Sequence, residues 1–102
     1  MCRKQDAADV EPAVRVLSAL DSPLRLHILL LLREREHYVH ELVEALKKSQ
    51  PLISQHLRVL KQAGLVRAER SGREVTYRLA TEEILDIYRQ AAALSAVLKA
   101  ED

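Results

Sequence analysis

Glycine occurs only twice in this chain of 102 residues, at Gly64 and Gly72, and each stands where the backbone must change course. Upstream of Gly64, the apolar residues Ile53, Leu57 and Leu60 recur at helical spacing, so the first glycine closes a helix. Downstream, Val66 to Arg70 and Glu74 to Leu79 alternate apolar and polar side chains around Ser71-Gly72-Arg73. That is the pattern of two strands joined by a tight turn. A helix running directly into a β-hairpin leaves few small architectures open.

The rest of the chain narrows them further. Residues 1–9 are polar and read as a flexible arm. Val10, Ala13, Val14, Leu17 and Leu20 then follow helical spacing. Ser22 is a good N-cap and Pro23 suits a first helical position, so a second helix starts there and runs to about Arg35. It is apolar nearly all round, which predicts a central, buried helix with His27 as a hydrogen-bonded core histidine. A short third helix is expected from His40 to Lys47, and Lys48-Ser49-Gln50 forms a turn. Ser49 caps the fourth helix, with Pro51 in its first turn, and Thr81 caps a last helix reaching about Leu98. Residues 99–102 are left as a tail.

The predicted order is helix, helix, helix, turn, helix, hairpin, helix: a mainly α fold with a small β-hairpin. A helix-turn-helix followed by a hairpin is the winged helix-turn-helix arrangement, here one domain over residues 10–98.

Charge is unevenly distributed along this frame. Residues 47–78 hold eight Lys and Arg against two acids, a local charge of +6, while the remainder carries −5. A nearly neutral chain has gathered its positive charge on one helix and one hairpin, the footprint of a polyanion-binding surface. Three tyrosines and no Phe or Trp leave no aromatic platforms for stacking single-stranded nucleic acid, and they make the core aliphatic. The single cysteine, Cys2, excludes an intrachain disulfide and fits a reducing compartment. The longest apolar run, Ile28 to Leu32, is far too short for a bilayer, so no membrane partner and a cytoplasmic location are expected.

On the fourth helix, Ile53, Leu57 and Leu60 face inward, and Pro51, Ser54, Gln55, Arg58 and Gln62 face outward with Lys61 on the flank. The outward face has no acid for phosphate to repel. Ser and Gln can hydrogen-bond base edges, and Arg58 can reach guanine or phosphate. Ser49, Gln50, Ser54 and Gln55 lie toward the end that usually meets bases in a helix-turn-helix. The alternative for these residues is the polar face of an ordinary surface helix. His56, at the edge of the apolar face, fits helix packing or a phosphate contact better than base reading. Arg67, Glu69, Thr76 and Arg78 point outward from the hairpin, and Arg70 and Arg73 flank its tip, where they can hold the DNA backbone.

Two segments resemble the ArsR/SmtB family of small bacterial repressors. ALDSPLRLHILLLL (Ala19 to Leu32) is similar to its second-helix signature, and SQPLISQHLRVLKQAGLVRAERSGREVTYRL (Ser49 to Leu79) to its recognition helix and wing. The resemblance implies a homodimer, formed through the first and last helices, that represses from a palindromic operator on double-stranded DNA until an inducer releases it. The wide apolar stripe of the last helix independently suggests a buried partner surface (Ile84, Leu85, Ile87, Tyr88, Ala91, Ala92, Leu94, Val97, Leu98).

The family's inducer can be a metal ion, but its familiar ligand positions are altered here. Cysteines that begin the third helix in some members are replaced by Tyr38-Val39-His40, and positions used on the last helix correspond to Thr81, Glu83, Leu94 and Val97. The remaining candidate ligands for Zn²⁺ or another transition metal are His37 and His40, beside Glu41 and Glu44, with Cys2 on the arm. Two histidines do not complete a site, and polar residues near a helix start are the alternative.

No nucleophile–base pair, phosphate-cradling glycine loop or complete metal cluster appears, so an enzyme is not expected. The competing binding function, a winged helix that holds a protein, calls for an uncharged or acidic surface.

Overall fold

The computed structural model describes residues 4–100 of the chain. Five helices and three short strands follow in the order α1 (Lys4–Leu20), α2 (Pro23–Glu34), β1 (His37–Tyr38), α3 (Val39–Leu46), α4 (Gln50–Gln62), β2 (Val66–Ser71), β3 (Glu74–Leu79) and α5 (Glu83–Ala100). Helix α1 begins at Lys4, well before the Val10 that apolar spacing marks as its start. The segment Lys4 to Glu11 lacks an apolar stripe yet is rich in Ala, Lys, Gln and Glu, which favour helix by intrinsic propensity. The expected arm therefore continues the helix from Lys4 onward. Cys2 lies outside the described residues.

The start signals behave as their chemistry requires. Ser22 Oγ accepts from the Arg25 amide at 3.2 Å, ahead of Pro23 in the first turn of α2. Ser49 Oγ accepts from the Leu52 amide at 3.4 Å at the head of α4. Between α3 and α4, Lys47 adopts a left-handed conformation (φ 55°) and its amide donates to the Val43 carbonyl at 2.9 Å, which turns the chain within three residues. Gly64 (φ 81°) closes α4 and Gly72 (φ 66°) turns the hairpin, both in the region that side chains disfavour.

The hairpin is antiparallel, with Val66 opposite Leu79, Ala68 opposite Tyr77 and Arg70 opposite Val75. A third strand was not legible in the sequence. Two residues, His37 and Tyr38, pair with Tyr77 and Thr76, giving the sheet order β1-β3-β2. This makes β3 the central strand. The core is aliphatic throughout: Ile28, Leu42, Ile53, Leu57 and Leu60 are fully buried, joined by Leu29, Leu32, Leu65, Val66, Ile84 and Leu85.

Helix α2 is central but not surrounded. Ile28, Leu29 and Leu32 are buried, whereas Leu24, Leu26, Leu30 and Leu31 are half-buried and His27 is exposed. The expectation of a core histidine at position 27 is thus corrected. One face of α2 packs on the core, and the face carrying Leu26 and His27 borders a groove shared with Leu20, Pro23, Leu30 and Tyr88. Helix α5 buries Ile84 and Leu85 in its first turns, and then residues 91–100 project into solvent, so the molecule extends 53 Å along its longest axis.

Candidate nucleic-acid interface

Burial of Ile53, Leu57 and Leu60 fixes the rotation of α4, and with it the identity of the opposite face. Gln50, Pro51, Gln55, Arg58, Lys61 and Gln62 are exposed, and Ser54 is half-buried at the margin. The face carries no carboxylate. Ser49 is exposed at the head of the helix, but its hydroxyl is already engaged by the Leu52 amide, so its structural task is the cap.

The wing stands beside this helix. Arg70 and Arg73 are exposed on either side of the Ser71-Gly72 turn. Arg67 and Arg78 sit directly opposite one another across the β2–β3 ladder, both exposed. Like charges in that position repel by a few tenths of a kcal/mol or more, about 0.2–1. They rim one surface cleft with Lys61, from the last turn of α4, and Glu69. Among the described residues the ion pairs are Arg35–Glu41, His40–Glu74 and Arg89–Asp86, and none engages a cation of this patch. The alternation of the hairpin already turned Arg67 and Arg78 outward; their direct opposition needed the register.

His56 is placed differently from its neighbours on α4. It is half-buried, and its Nδ1 lies 3.1 Å from Nη1 of Arg25 on α2. Burial first, and the Arg25 charge second, push the imidazole pKa below its usual value. Of the two roles expected for His56, the geometry answers to helix packing, because the ring nitrogen is held by Arg25.

The metal candidates do not converge. His37 is buried in β1 (5% exposed), where its Nδ1 donates to the Arg35 carbonyl at 2.9 Å. His40 is exposed on α3, stacks on Tyr38, and sets Nε2 3.6 Å from a Glu74 carboxylate oxygen. Glu41 is turned away from both tasks: it accepts from Arg35 through both oxygens (3.2 and 3.0 Å) and from the Tyr38 amide at 2.8 Å. The Arg35 hydrogen bonds and that amide hold its carboxyl down at about 2. Among the described residues, no three His, Cys, Asp or Glu side chains gather closely enough for a metal ion. Cys2, the third candidate ligand, lies outside the described residues.

At the other side of the molecule, α1 exposes Val10, Val14 and Leu17, and α5 exposes Ile87, Leu94, Val97 and Leu98. Leu17 and Ile87, one from each stripe, line one groove with Leu20, Asp21, Leu26, Tyr88 and Ala91. No helix among the described residues is long and apolar enough to cross a membrane.

Comparison with known proteins agrees with this geometry. The family model of bacterial regulatory proteins of the arsR family matches residues 22–68, which run from the cap of α2 into β2. The HTH-type transcriptional repressor SmtB of Mycobacterium tuberculosis is 52% identical over 84 residues, covering 82% of this chain and 62% of that protein. An uncharacterised HTH-type transcriptional regulator of Methanocaldococcus jannaschii is 38% identical over 80 residues, 78% of this chain and 90% of its own length. Among solved structures, the homodimeric winged helix-turn-helix DNA-binding domain of a possible ArsR-family regulator from Mycobacterium bovis superposes with a TM-score of 0.79 at 30% identity, covering 94% of this chain and 89% of that one. The chain spans about three-fifths of the length of the SmtB-type relatives it matches. With the element order, the acid-free face of α4 and these similarities in agreement, the chain belongs to the ArsR family of winged helix-turn-helix bacterial regulatory proteins.

Proposed function

We propose that this chain acts as a homodimeric transcriptional repressor that binds a palindromic operator on double-stranded DNA and leaves it when an inducer binds. The observation that carries the reading is the exposed face of α4: polar, free of carboxylates, and beside a set of wing cations that form no ion pair among the described residues. Gln50, Ser54, Gln55 and Arg58 are assigned to base edges in the major groove, where amide and guanidinium groups discriminate between base pairs. Lys61, Arg70 and Arg73 are assigned to phosphates, and Arg67 and Arg78 join them, since a phosphate beside two opposed arginines relieves their repulsion.

The apolar face of α1 and α5 is assigned to the second copy. Six of its side chains, Val10, Val14, Leu17, Leu94, Val97 and Leu98, are each more than half exposed, at 53–57%. Such a face is covered in a stable soluble protein. Two-fold pairing there sets the two reading helices about one turn of DNA, roughly 34 Å, apart. Regulation of DNA places the protein in the cytoplasm.

A salt titration of duplex binding tests the reading. Affinity is expected to fall steeply and log-linearly as salt rises. Binding that ignores salt, or no binding to any duplex in a random pool, overturns it.

A further inference from the structure

Arg25 joins three elements with one side chain. Its Nε donates to the Ala19 carbonyl at 2.6 Å and its Nη2 to the Ser18 carbonyl at 3.2 Å, two of the last carbonyls of α1, which a helix end leaves without intrahelical partners. Its Nη1 lies 3.1 Å from His56 Nδ1 on α4, 31 positions away in the chain. Its own amide is tied to Ser22 at the cap of α2. A cation at the C-terminal end of α1 also suits that helix's dipole.

The chemistry of the pair fixes a protonation state. A guanidinium only donates, so His56 Nδ1 must accept, and the ring proton resides on Nε2. Adding a second proton at Nδ1 removes the acceptor and sets an imidazolium against a guanidinium. The charged group held against the ring is Arg25 from α2, which is cationic. No carboxylate bonds to either partner among the described residues.

We infer that Arg25 is a positioning residue for DNA binding, a latch that holds the reading helix at a set angle to the dimer-forming helix α1, and that protonation of His56 releases it. The inference rests on the DNA-binding reading above. It assigns to the pair a task that no contact with DNA performs: setting the two reading helices of a dimer to one spacing. Burial and the Arg25 charge both favour the neutral ring. A base whose folded pKa is lowered contributes fully above its ordinary value of 6.5, and the contribution is lost as pH falls below that value. Any other proton taken up by the chain adds positive charge and tightens binding to a polyanion. Weakening on acidification therefore isolates the latch.

The test uses the full chain and a duplex of about three helical turns, recovered by the wild-type protein from a random-sequence pool. Wild-type affinity is expected to weaken between about pH 7.5 and about pH 5.5, by less than about tenfold because the ring protonates below its ordinary value. His56→Asn keeps an acceptor where Nδ1 stood but cannot titrate, so its affinity no longer weakens on acidification. Arg25→Met and Arg25→Lys, which cannot reach three acceptors, lose most of the discrimination between the selected duplex and one with altered half-site spacing. Nitrogen-15 spectra of the wild-type ring at about pH 7.5 report the Nε2–H tautomer, a readout that needs no variant to fold. A Nδ1–H ring, or an undiminished acid-weakening in His56→Asn, overturns the latch while leaving DNA binding intact. A wild-type chain that recovers no duplex overturns the parent reading instead.

Discussion

The two outward surfaces of this protein are unsatisfied in opposite ways. Around α4 and the wing, the exposed groups are amides and cations: Gln50, Gln55, Arg58, Lys61, Arg70 and Arg73. Along α1 and α5 they are aliphatic: Val10, Val14, Leu17, Leu94, Val97 and Leu98. Water solvates the first set well, so that surface is stable while it waits for a polyanion. Water solvates the second poorly, and covering each half-exposed side chain is worth about 1 kcal/mol or more. The difference separates a reversible, salt-controlled contact from a lasting one, and it is the basis for proposing DNA on one side and a second copy on the other.

The largest expected effect lies on the apolar side. Leu17→Asp combined with Leu94→Asp places carboxylates in a dry interface and should give a folded monomer by sedimentation, with duplex affinity reduced by about a thousandfold through loss of two-site binding. A double variant that still sediments as a dimer would remove the assignment of this face. On the polar side the next effect is one of selectivity. Gln55→Ala should relax preference at a single base position by about 1–3 kcal/mol across a panel of single-base duplex variants, while binding to unrelated DNA stays as it was.

Arg70→Ala with Arg73→Ala should act without regard to sequence. The slope of log affinity against log salt should become shallower by about 4, one for each phosphate deprived of its guanidinium across the two protomers. An unchanged slope would mean that the wing tip does not touch the backbone. The smallest effect belongs to neither surface, and it calibrates both. Glu41, clasped by Arg35 and the Tyr38 amide, titrates at about 2 instead of its ordinary 4.5. Its contribution to stability is therefore complete above 4.5 and lost as pH falls toward 2. Glu41→Gln should lower Tm slightly at neutral pH, with the difference from wild type vanishing near the acid limit and DNA selectivity untouched.

Much of the local structure around the candidate interface was legible from the amino-acid order alone. Ser22 and Ser49 announce helix starts by accepting hydrogen bonds from amides three positions on, Pro23 and Pro51 by their fixed backbone angle, and Gly64 and Gly72 announce turns through their own backbone conformations. Such signals are local, so a linear sequence carries them intact. Alternation and helical spacing likewise sort Val66 and Leu57 inward and Arg67 and Arg58 outward. Where periodicity was absent, no such sorting was possible. The first turns of α1 have propensity but no apolar stripe, and β1 is two residues long, too brief for any pattern.

What the sequence determined by itself is the order of the helices and the hairpin, the acid-free face of α4 and the concentration of charge beside it, because each arises from residues within a turn or two of one another. Only the tertiary structure decided that His37 is buried beneath its pairing with β3, that His27 meets solvent, and that Leu17 of α1 and Ile87 of α5 share one groove. It alone brought Arg25 to His56 across 31 positions. The physical reason is the same in each case: packing chooses partners by position in space, and periodicity records only which face of its own element a residue occupies.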